Sequence, residues 1–133
     1  GELNWNEELF ANFRMYYALC RTGYKVYMNN TVYTGAQIAD MYRKSYEETL
    51  ARGIASDGDG LMYVMTRMAD TEGWEPFRKA FRELYGLDPA VSCGATKWEK
   101  IDCFFSVVSR YASKDLLETY FTPAQIAALK TLK

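Results

Sequence analysis

Histidine is absent from this 133-residue chain, which leaves carboxylates, hydroxyls, lysine amines and three thiols as the groups able to do chemistry. A Ser-His-Asp or Cys-His relay therefore cannot be built from these residues, and neither can a histidine-ligated zinc site. Cys20, Cys93 and Cys103 stand at no metal-ligand spacing. They read as buried or partly buried thiols, with a Cys93–Cys103 disulfide left open. The stretch "SDGDG" at 56–60 begins like a calcium loop. Such a loop also needs an oxygen ligand at its fifth position and a glutamate at its twelfth. Counted from Asp57, those positions hold Leu61 and Met68, so Asp57 or Asp59 reads instead as a helix N-cap. "GWEPFRKAFRELYG" at 73–86 mixes Trp74 and two phenylalanines with basic residues. It reads mainly as a helix-to-helix corner with Trp74 as its pin, and secondarily as a ligand contact.

The elements that position these groups are helical. Hydrophobic residues make up 49% and aromatics 16%, a composition that favours a packed core over disorder. With 16 basic and 17 acidic residues dispersed along the chain, the net charge is −1, and nucleic acid is a poor partner. No apolar stretch approaches the ~20 residues that span a bilayer. The chain opens on Gly1 without a signal-peptide pattern, which predicts a processed or excised piece whose true N-terminus lies upstream.

Apolar residues at Leu9, Phe10, Phe13, Tyr16, Tyr17 and Cys20 predict a helix over 6–20, stopped by Gly23. "YKVYMNNTVYTG" predicts a small β-hairpin turning at Asn29-Asn30. Thr34 with Gln37 has capping-box spacing and opens a helix to about Arg52, with Ile38, Met41, Tyr42, Ser45, Tyr46 and Leu50 inward. A helix over about 60–71, apolar almost all round, reads as the most buried element. Pro76 starts the next, with a stripe of Phe77, Phe81, Leu84 and Tyr85 and with Arg78, Lys79, Arg82 and Glu83 outward. Thr96 with Glu99 opens a helix to about Ala112. Its inner face is Trp98, Ile101, Phe104, Phe105, Val108 and Tyr111, with Asp102, Ser106 and Arg110 turned away. Ser113 is expected to cap a short segment 114–121, and Thr122-Pro123 to begin a last helix to about Leu132. The expected fold is all-α, an antiparallel bundle of about six helices with one hairpin near residues 24–33, in a single domain over 1–133.

Four segments together resemble the C-terminal helical region of the enhancin-like, mucin-targeting zinc metallopeptidases of the gluzincin type. They are "EELFANFRMYYAL", "VYTGAQIADMYRKSY", "DGLMYVMTRMADTEGWEPFRKAFRELY" and "KWEKIDCFFSVVSRYASKDLLETYF". The specific feature is "GWEPFRKAFRE" linked to a following "WEKIDCFFSVVSRYASKDL". The resemblance implies zinc held by H-E-x-x-H on one helix and by a glutamate on a later one, with the motif's glutamate as general base. It implies a secreted or cell-surface protein acting on host glycoproteins such as mucins. This chain has no H-E-x-x-H, and the acid matching the later glutamate best is Glu8, ahead of Glu7 and Glu2. The alternative for Glu8 is an exposed first-turn acid favoured by the helix dipole.

The resemblance thus makes the chain the C-terminal subdomain of a larger peptidase-like protein, partnered by its N-terminal catalytic half. Zinc belongs to the parent, and no cofactor is expected in this piece alone. A second possibility from another class is a stand-alone protein- or glycan-binding module, with Tyr24, Tyr27, Tyr33 and Trp74 as its contacts. A third is a spacer within a surface protein.

Overall fold

The computed structural model describes residues 13–28, 30–52, 58–86 and 93–133. These residues form seven helices and one two-stranded antiparallel hairpin, so the mostly-α expectation holds. They group into two compact units, Gly1–Arg67 and Met68–Lys133.

In the first unit, helix α1 covers residues 13–22. Phe13, Tyr16 and Leu19 recur every third position and are buried. Cys20, expected inward, is exposed, because Leu19 takes the end of the stripe. Gly23 ends α1 at φ +69°, where a side chain would be strained, and its N–H reaches the Leu19 carbonyl at 3.0 Å. Strands β1 (Val26–Met28) and β2 (Thr31–Tyr33) pair Val26 with Tyr33, Tyr27 with Val32 and Met28 with Thr31. Asn30 supplies the left-handed turn residue at φ 62°.

Helix α2 (Gly35–Arg52) opens with the expected box. Thr34 N–H donates to Gln37 Oε1 at 2.8 Å, and Gln37 N–H donates to Thr34 Oγ1 at 3.2 Å. Ile38 and Tyr42 are buried, but Met41 is exposed, since the inner stripe of α2 is narrower than its apolar sequence. Helix α3 (Gly58–Glu72) carries buried Leu61, Met62, Val64, Met65, Thr66, Met68 and Ala69, nearly encircling it as expected. Because α3 starts at Gly58, Asp59 falls inside it and not at its cap; Asp57 lies outside the described residues. Gly53, expected to stop α2, also lies outside the described residues.

In the second unit, Gly73 closes α3 at φ +81°, and Trp74 directly precedes α4 (Glu75–Leu84), with Pro76 in its first turn. Phe77 and Ala80 are buried, whereas Tyr85 is 86% exposed. The stripe expected through Tyr85 stops early because Tyr85 leaves the helix in an extended conformation. Helix α5 (Lys97–Ala112) buries Ile101, Phe104, Phe105, Val107 and Val108, and also Lys100. Tyr111, expected inward, is exposed near the helix end, where the chain turns away. Thr96 Oγ1 accepts from the Glu99 N–H at 3.0 Å, but the Glu99 carboxylate takes the Thr96 hydroxyl and not its N–H.

Ser113 does not cap the following helix. It is the left-handed C-cap of α5 at φ 57°, and Asp115 caps α6 (Leu116–Tyr120) instead. Helix α7 (Pro123–Leu129) has the reciprocal Thr122–Gln125 box and ends short of Leu132. Leu132 turns back so that its carbonyl accepts the Trp98 N–H at 3.3 Å.

An aromatic chain runs through this unit. Phe81 lies 5.6 Å from Phe104, Phe104 lies 5.6 Å edge-on from Phe105, and Phe105 lies 5.8 Å edge-on from Phe121. Each fully buried phenylalanine contributes on the order of 2–3 kcal/mol. This chain joins α4, α5 and the C-terminal end of α6 into one core.

Cys93 and Cys103 form a disulfide, with Cα atoms 5.5 Å apart. The reading of these two as thiols is thereby corrected: Cys103 sits on the flank of α5 facing the loop that carries Cys93.

Candidate functional site

Glu8, Glu7 and Glu2 lie outside the described residues. Among the described residues, no three His, Cys, Asp or Glu side chains gather to hold a metal ion. The hairpin tyrosines divide. Tyr24 is 75% and Tyr27 67% exposed, while Tyr33 is half-buried. Tyr27 faces Val32 across the ladder, so the two share one face, and Val32 is 51% exposed. Trp74 is half-buried with its ring edge-on to Phe77 at 6.1 Å, as a corner pin requires.

A shallow concavity lies along the C-terminal half of α5, the turn after it and the start of α6. It is an open cleft of about 460 Å³. Asp102, Ser106, Ser109 and Ser113 follow one another at i, i+4, i+7 and i+11 and so line it as one stripe of α5. Phe105 and Leu117 form its apolar floor, and Arg110, Lys114 and Asp115 its edges. The turn is fixed by backbone bonds, Ser113 N–H to the Arg110 carbonyl at 3.4 Å and Lys114 N–H to the Ser109 carbonyl at 3.2 Å. Ser109 Oγ accepts the Leu116 N–H at 3.0 Å, which seats the first turn of α6 against α5.

Both cations at the rim are already engaged. Arg110 holds Glu83 through two parallel bonds, at 3.0 and 2.6 Å, and Tyr111 Oη donates to the same carboxylate at 3.3 Å. The Arg110 bond keeps the Glu83 carboxyl below its ordinary range and raises the guanidinium in turn. Lys114 Nζ lies 2.9 Å from Glu72 Oε1, and Tyr120 Oη donates to Glu72 Oε2 at 2.7 Å.

The Glu72 side chain is only 7% exposed. Tyr120 first and Lys114 second hold its carboxyl below the usual value, against the opposing effect of burial. Burial, then the bond to Glu72, pushes the Tyr120 phenol up, and Glu72 raises the Lys114 ammonium. This buried group ties the end of α3 to the turn before α6 and to α6 itself.

Sequence reasoning placed Asp102, Ser106 and Arg110 on an outward face but not in a concavity. Their helical spacing was the available signal. The Glu72–Tyr120 bond, between residues 48 apart, leaves no local sequence pattern.

Comparison with protein-family models, with curated proteins and with solved structures finds no match for this chain. No described helix is long and apolar enough to cross a membrane.

Proposed function

We propose that this chain is the C-terminal helical subdomain of a secreted or surface zinc metallopeptidase-like protein acting on host glycoproteins such as mucins. On its own it performs no hydrolysis. The observation that carries the reading is the ordered run of four segments resembling that family in a chain without a single histidine. The residues present do not suit zinc by themselves, since the imidazoles that would hold it are missing from the sequence. The metal would belong to the N-terminal catalytic half, with Glu8 the candidate for the later-helix ligand. The Cys93–Cys103 disulfide supports an oxidising compartment.

The test is the full reading frame. It should encode H-E-x-x-H upstream of Gly1 and give zinc-dependent cleavage of a mucin-type glycoprotein. Glu8→Gln should lower zinc affinity at least as much as loss of an outer-shell partner does, about 10- to 100-fold. A reading frame without the motif refutes the assignment.

A second reading is favoured by the exposed hairpin face of Tyr27 and Val32 with Tyr24 nearby in sequence. In it the chain is a protein- or glycan-binding module. Glycan-array or pull-down binding that Tyr27→Ala abolishes supports it, and binding unchanged by Tyr27→Ala removes the hairpin as the contact.

A further inference from the structure

We draw no further inference here: the strongest candidate, the exposed face that Tyr27 and Val32 share on the β1–β2 hairpin, is an apolar surface patch that nothing in the structure shows to be covered by any particular partner.

Discussion

Replacing Tyr120 by Phe tests whether the buried Glu72 carboxylate is a stabilising element of the second unit. The change removes the hydroxyl that donates at 2.7 Å to Glu72 Oε2 and leaves the ring in place. A hydrogen bond to a charged acceptor contributes roughly 1.5–3 kcal/mol. The lower end applies here, because Lys114 remains at 2.9 Å to share the carboxylate. With a urea slope of about 2 kcal/mol per M, a loss of about 1.5 kcal/mol lowers the midpoint by about 0.75 M at pH 7.

The pH dependence gives a second, independent check. The folded carboxyl is depressed, so its contribution is fully present above the unfolded value of about 4.3 and is lost as pH falls through the folded value. The Tyr120 phenol is raised, so its contribution is present below about 10 and is lost as pH rises through the folded value. The difference between wild type and Tyr120→Phe should therefore be greatest near neutrality and shrink in both acid and strong base. Urea melts followed by far-UV circular dichroism across that range measure it. Equal midpoints at pH 7, or a difference that does not change with pH, would refute the reasoning.

Other expectations follow from the loop before α5. The Cys93–Cys103 bridge spans a sequence separation of 10. Chain-entropy arguments give about 2.7 kcal/mol for so short a loop, so Cys93→Ser with Cys103→Ser should lower Tm by about 10 °C by calorimetry. Gly94 sits at φ +112°, and a Cβ there would overlap the Glu99 side chain. Gly94→Ala should cost about 2 kcal/mol in a urea melt. Adding Glu99→Ala should recover only the part due to overlap with the Glu99 carboxyl group, because the Cβ that alanine keeps still lies 2.8 Å from the added one and the backbone strain remains.

Local signals were the legible part of this chain. Thr34–Gln37 and Thr122–Gln125 mark helix starts because a hydroxyl and an amide three residues apart satisfy orphan N–H groups without help from the fold. Gly23 and Gly73 mark helix ends for the equally local reason of positive φ. The apolar stripe of α5 was readable through Ile101, Phe104, Phe105 and Val108, but not at its ends.

The failures occurred where the fold outside a helix decides. Cys20, Met41 and Tyr85 are apolar by type and sit at or next to apolar spacings, yet nothing covers them enough to bury them. Ser113 and Asp115 are both good caps by type, and only the left-handed turn at Ser113 assigns the role to Asp115. The cleft was half legible: the outward placing of Asp102, Ser106 and Arg110 was readable from helical spacing, but the concavity arises only when α6 folds back on Ser109. Glu8 lies outside the described residues, so its role rests on the resemblance.

The bridge between Cys93 and Cys103 also governs how proteolysis of this molecule must be read. A single nick between those two residues leaves both pieces tethered as one species of unchanged mass apart from an added water. Digestion maps run without a reductant will score that segment as resistant even when it is cut, whereas a nick in the β1–β2 turn releases two separate fragments once the protein is denatured.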